Sequence, residues 1–129
     1  MSSERRRFAR GDLPPAALRI DVRPDRDRVF VRPVGEVDLE TAPAVHSVAV
    51  ELVEKGFARV VIDLSEVTFL DSTGVRLLLS THRRACELGI GLSVIPGGPK
   101  TLRVLEVCGA LDRLDLEDDG IPAPPGAGT

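Results

Sequence analysis

Asp71-Ser72-Thr73-Gly74 is the segment whose residue types and spacing point most directly to chemistry. An acid followed by two hydroxyls, just ahead of an apolar periodic run, is first of all a helix start. Asp71 or Ser72 can accept a hydrogen bond from the free N–H groups of a first turn, a cap that contributes about 1 kcal/mol. A hydroxyl at position 72 is also well placed to carry a phosphate. Such a group brings about -1.5 to -2 charges to the positive end of a helix dipole, which the fold tolerates. A partner docked over that helix end would instead face a bulky dianion beside Asp71. Unpaired charge buried in an interface costs about 2 to 5 kcal/mol, so the segment can switch binding without being an enzyme. Arg76, one turn on, is positioned either to neutralise the phosphate in part or simply to be solvated.

Other constellations lead nowhere. His46 and His82 both fall within helical patterns, away from any loop-borne nucleophile, which argues against a Ser-His-Asp arrangement. His82 and Cys86 are four residues apart, but no second pair of ligands completes a tetrahedral metal site, and they read as core residues. Gly97-Gly98-Pro99 fits neither a P-loop nor a dinucleotide-binding spacing. An aspartyl phosphatase built on Asp71 needs a second acid two residues on, and position 73 is Thr. No metal, cofactor or catalytic residue is expected.

The 129 residues suffice for one domain, with 43% hydrophobic and 29% charged residues. Four Phe, with no Trp or Tyr, leave too few rings for base stacking or for aromatic cages, and dictate an aliphatic core. A net charge of -3 provides no general field for a polyanion, so no direct nucleic-acid contact is expected. Cys86 and Cys108 lack CxxC spacing and sit among apolar residues, as reduced, buried thiols of a cytoplasmic protein do. No apolar run exceeds three residues, so the sequence reads as soluble, with neither a signal-peptide core nor a membrane span.

Residues 1–17, with Arg5, Arg6, Arg7 and Arg10, read as a flexible basic arm. Residues 117–129, opening on Glu117, Asp118 and Asp119 and rich in Pro and Gly, read as a disordered tail. Between them, 18–116 form the folded unit. Leu18-Arg-Ile20-Asp-Val22 alternates with period two, and Val29-Phe-Val31 leads on to Val34 and Gly35. With Pro24 to Asp27 between them, the two runs predict a hairpin.

Thr41-Ala42-Pro43 starts a helix carrying Val45, Val48, Ala49, Leu52 and Val53, which Lys55-Gly56 ends. The β-branched run Val60 to Leu64 reads as an interior parallel strand. A helix over 72–88 follows, with Val75, Leu78, Leu79, His82 and Cys86 inward and Gly89 as its stop. Gly91 to Ile95 is a strand, Pro99 to Cys108 a helix with Leu102, Leu105 and Cys108 inward, and Leu114 to Leu116 a last strand. The order β-β-α-β-α-β-α-β implies an α/β fold with right-handed crossovers and a largely parallel sheet opened by one antiparallel pair.

Several segments together resemble the STAS domains, specifically the anti-sigma-factor antagonists of bacteria. They are Gly35-Glu36-Val37-Asp38 before Thr41-Ala-Pro43, Val61-Ile-Asp63-Leu64-Ser65, Phe69-Leu70-Asp71-Ser72-Thr73-Gly74 and Gly109-Ala-Leu111-Asp-Arg113. The resemblance implies a mixed sheet with helices mainly on one face, and a non-catalytic protein that binds an anti-sigma factor. That partner is typically also a serine kinase, which phosphorylates the serine after the Asp and ends the complex; a phosphatase restores it. By resemblance Ser72 is the phosphorylated residue. Asp71 is the preceding acid and Asp38 the loop acid nearby, and Thr73, Gly74 and Arg76 complete the expected partner-binding set. Thr73 leaves a second hydroxyl beside the first. The alternative implied by the same fold is a STAS subunit of a transporter or sensory assembly that phosphorylation does not control.

Overall fold

The computed structural model describes residues 18–117, so the readings of the arm and of the tail beyond Glu117 lie outside the described residues. The elements run β1 (Leu18–Asp25), β2 (Arg28–Val37), α1 (Ala42–Val53), β3 (Arg59–Asp63), β4 (Val67–Leu70), α2 (Ser72–Leu88), β5 (Gly91–Ile95), α3 (Pro99–Val107) and β6 (Asp115–Leu116). The α/β reading holds, as do the opening hairpin and the alternation of helices with parallel strands. β1 pairs antiparallel with β2, and β2-β3-β5-β6 are parallel, in the order β1-β2-β3-β5-β6.

β4 is the element the sequence pattern does not announce. It pairs parallel with the far end of β2, on the stretch beyond the β3 ladder, with Gly35 opposite Val67 and Val37 opposite Leu70. β3 and β4 therefore follow each other along β2, and within the β4 ladder the register shifts between Gly35 and Glu36, where Thr68 is the extra residue of a bulge.

Strand alternation divides the sheet into two faces. Val29, Val31, Val60, Ile62, Leu92 and Val94 belong to one large buried cluster, shared with Val45, Ala49 and Val53 of α1, Val75, Leu78 and Ala85 of α2, and Leu105 of α3. Phe30, Val61 and Ile95 form a second, small cluster that contains no helical residue, with the Arg28 guanidinium 5.0 Å from the Phe30 ring centroid. The helices therefore pack their apolar sides against one face, as expected. Between α1 and α2, Arg84 reaches Glu54 at 3.0 Å.

Two inward stripes differ from the periodicity reading. On α2 the buried line is Gly74, Val75, Leu78, Thr81 and Ala85; Cys86 is exposed and His82 only half-buried. Both lines fit a helical period, and tight packing at Gly74 selects the first. Thr81 can be buried because its hydroxyl donates to the Leu77 carbonyl at 2.8 Å. On α3 the buried residues are Thr101 and Leu105, while Leu102 and Cys108 face solvent. Both cysteines are thus free and exposed, contrary to the buried thiols expected.

Candidate functional site

The Asp71-Ser72-Thr73-Gly74 segment lies where β4 passes directly into α2. Asp71 is the N-cap: its backbone is extended and its Oδ1 accepts from the Gly74 N–H at 3.1 Å, while its carbonyl accepts from the Val75 N–H at 3.2 Å. The side chain of Asp71 thereby satisfies one of the first-turn donors that no helix can satisfy internally. Ser72 is the first helical residue and is exposed, Thr73 is half-buried, and Arg76 is exposed one turn later.

Gly74 is buried and fixes how closely α2 approaches the sheet. A Cβ there would lie 2.7 Å from Leu70 Cδ1, 2.9 Å from Val37 Cγ1 and 3.4 Å from the Val37 carbonyl. Only a residue with no side chain lets the first turn rest on the ends of β2 and β4. At the far end Gly89, in the left-handed conformation with φ 73°, closes α2, and Ile90 N–H donates to the Ala85 carbonyl at 2.9 Å.

Asp38 comes to the same place from the neighbouring strand. Val37 is paired with Leu70, and the Asp71 N–H donates to the Val37 carbonyl at 3.2 Å, so the two acids directly follow a registered pair. Asp38 Oδ1 accepts from the N–H groups of Glu40 at 3.0 Å and Thr41 at 3.1 Å. The Thr41 hydroxyl accepts from the Asp38 N–H at 2.9 Å and donates to the Glu36 carbonyl at 2.6 Å. The Asp38 carbonyl accepts from the Ala42 N–H at 2.8 Å and so leads into α1. The Thr41 N–H, with that of Glu40, holds the Asp38 carboxyl below the usual carboxylate range. Leu39, between these anchored residues, is 69% exposed. It is absent from the site as read from the sequence, where the only available signal was an apolar residue directly after the loop acid.

The structure thus brings Asp38, Asp71, Ser72, Thr73 and Gly74 to one end of β2 and β4, with Arg76 a turn further along α2. Among the described residues no group of three or more His, Cys, Asp and Glu side chains could hold a metal, and no helix is long and apolar enough to cross a membrane. Cys86 Sγ lies 3.9 Å from His82 Nδ1 on the last turns of α2, at the opposite end of the helix from Ser72.

A mixed sheet with helices on one face and a capped serine at a strand-to-helix junction define a class, and the STAS domain family model matches residues 19–119: the chain belongs to that family. It is 27% identical over 99 residues to the anti-sigma-B factor antagonist of Bacillus subtilis, covering 77% of this chain and 90% of the relative. Over 79 residues it is 35% identical to an anti-sigma-F factor antagonist of Mycobacterium tuberculosis, covering 61% of this chain and 63% of that protein. Among solved structures it is similar to an anti-sigma factor antagonist from Mycobacterium paratuberculosis. That match has a TM-score of 0.74 at 29% identity, over 82% of this chain and 90% of the other. The relatives are regulators named for the anti-sigma factors they oppose; none of these names describes an enzyme.

Proposed function

We propose that this chain is an anti-sigma-factor antagonist, a non-catalytic cytoplasmic regulator controlled at Ser72. Unphosphorylated, it binds an anti-sigma factor that is also a serine kinase, and so releases a sigma factor for transcription. Phosphorylation of Ser72 ends the complex and a phosphatase restores it. Neither nucleic acid nor membrane is a direct partner.

The observation that carries this reading is the position of Ser72: exposed, first in α2, and directly after an Asp71 already engaged as the cap. A phosphate on its oxygen stays in solvent at the positive end of the helix, so the fold has no reason to resist it. A partner seated on the same surface must either desolvate a dianion or leave. Thr73 is half-buried and therefore the poorer acceptor for a kinase. The names of the relatives agree with this reading.

Affinity capture with wild type and Ser72→Asp as baits, followed by binding titration of the recovered and purified anti-sigma factor, tests it. Wild type is expected to bind, and Ser72→Asp to bind about thirtyfold more weakly or worse. Incubation of that partner with ATP is expected to place one phosphate on Ser72 and none on the Ser72→Ala variant. Equal affinity of wild type and Ser72→Asp would overturn the reading.

A further inference from the structure

We infer that Leu39 is the apolar anchor by which this domain engages its anti-sigma factor, and that Asp38 serves as the positioning residue that holds it out. This rests on the reading of the preceding subsection. Val37 and Leu70 are a registered pair on adjacent parallel strands, and Leu39 and Ser72 each stand two residues beyond it. Leu39, in the turn after β2, and Ser72, at the start of α2, leave the same end of this strand pair, so a partner surface of ordinary interface size that covers the Ser72 hydroxyl also meets Leu39.

Leu39 is 69% exposed, and solvent-facing leucines elsewhere on a domain need no explanation. What sets this one apart is the backbone beneath it. Five hydrogen bonds tie residues 36–41 together: Asp38 Oδ1 takes the N–H groups of Glu40 and Thr41, and the Thr41 hydroxyl accepts from the Asp38 N–H and shares its proton between the Glu36 carbonyl and Asp38 Oδ1. The carbonyl of Asp38 is in turn fixed to Ala42 at the start of α1. A side chain presented from a loop this constrained loses little backbone freedom on binding, which is the property that makes an apolar contact productive in an interface.

In this arrangement Asp38 Oδ1 is occupied within the loop. Its role is to shape the turn, and the partner contributes an apolar pocket wide enough for a leucine, next to the surface that covers Ser72. The phosphate on Ser72 and the leucine then act on one docking event, the first opposing it and the second driving it.

The test is a binding titration of purified anti-sigma factor against unphosphorylated wild type and variants, each shown to be folded at the titration temperature. Leu39→Ala is expected to weaken binding about tenfold and Leu39→Asp about a hundredfold or more, from the loss of a buried leucine contact. Val107→Ala, which truncates a comparably exposed residue on α3, serves as the control and is expected to bind as wild type does. Asp38→Ala, which releases the loop, is expected to lose binding, and Asp38→Asn, which keeps the Oδ1 acceptor, to recover most of it.

Wild-type affinity in Leu39→Asp would overturn the anchor while leaving the anti-sigma-factor reading intact. An Asp38→Asn as weak as Asp38→Ala would overturn the positioning role, since the negative charge itself would then be what the partner reads. A wild type that binds no anti-sigma factor would overturn both the inference and the function on which it rests.

Discussion

Asp71 and Val37 are joined by a backbone hydrogen bond of 3.2 Å from the Asp71 N–H to the Val37 carbonyl, at the last registered rung between β4 and β2. That single contact fixes the start of α2 against the loop that begins at Asp38. Local changes on either side of it have separable consequences.

Replacing Asp71 with Ala removes the acceptor for the Gly74 N–H and should destabilise the domain by about 1 kcal/mol, while Asp71→Asn and Asp71→Ser should retain most of that stability. Urea unfolding of the three variants measures the difference. A loss in Asp71→Ala indistinguishable from zero would mean that solvent caps the helix equally well.

Gly74→Ala gains helix propensity but places a methyl 2.7 Å from Leu70 Cδ1 and 2.9 Å from Val37 Cγ1. Overpacking of this kind costs about 1 to 3 kcal/mol and should exceed the gain, so the variant is expected to melt lower than wild type. Gly74→Val should fall further. Calorimetry on the pair decides it, and a higher melting temperature for Gly74→Ala would show that α2 slides outward without penalty.

The Asp38 carboxyl should titrate below the usual carboxylate range near 4, because the folded loop donates N–H groups to its ionised form. With the folded value depressed, the stabilising contribution is present above the unfolded value and is lost as pH falls through the folded one. NMR titration should show the amides of Glu40 and Thr41 moving together with the Asp38 carboxyl in that acid range. Independent midpoints for the three would contradict the hydrogen bonding described.

Phosphorylation of Ser72 should leave the fold standing. The exposed oxygen at the first position of α2 puts the phosphate in solvent and in favourable interaction with the helix dipole, opposed by the neighbouring Asp71 carboxylate. The expected melting temperatures of the two forms differ by a few degrees at most, whereas affinity for the anti-sigma factor differs greatly. A phosphorylated form that unfolds would place the switch in the fold instead of the interface.

Native protein should react with an aromatic disulfide reagent such as DTNB at both Cys86 and Cys108, since each is free and exposed. Reaction only after denaturation is the outcome that the apolar neighbours of these residues in sequence had suggested, and it would contradict the structure.

The hairpin, the interior strand β3 and the limits of α2 are legible in the chain because each is a local pattern: alternation in Leu18 to Val22, a β-branched run at Val60 to Ile62, and a cap and a glycine stop around residues 72–88. β4 is not, for a physical reason. Of its four residues only Leu70 is fully buried, and the pairing that makes it a strand is with β2, some thirty residues earlier. The inward line of α2 is also undetermined locally, since Thr81 and Ala85 compete with His82 and Cys86 at the same period and the close packing of Gly74 on Leu70 and Val37, which lie outside the helix, settles the choice. At the site, the capping role of Asp71 follows from residue type, whereas the carboxylate of Asp38 bound within its own turn, and the leucine displayed there, emerge only from the folded loop.

β3 and β4 lie end to end along one edge of β2, β3 on residues 28–31 and β4 on residues 35–37, with a register shift inside the second ladder. The few residues from Leu64 to Glu66 therefore act as a spacer that sets how far β4, which leads into Ser72, advances along its neighbour. Adding one residue there would displace Asp71 and Ser72 by about 3.3 Å along the strand, or force the bulge to widen to absorb it. The alignment of hydroxyl, leucine and acids is thus metered by the length of a connection that contains none of them.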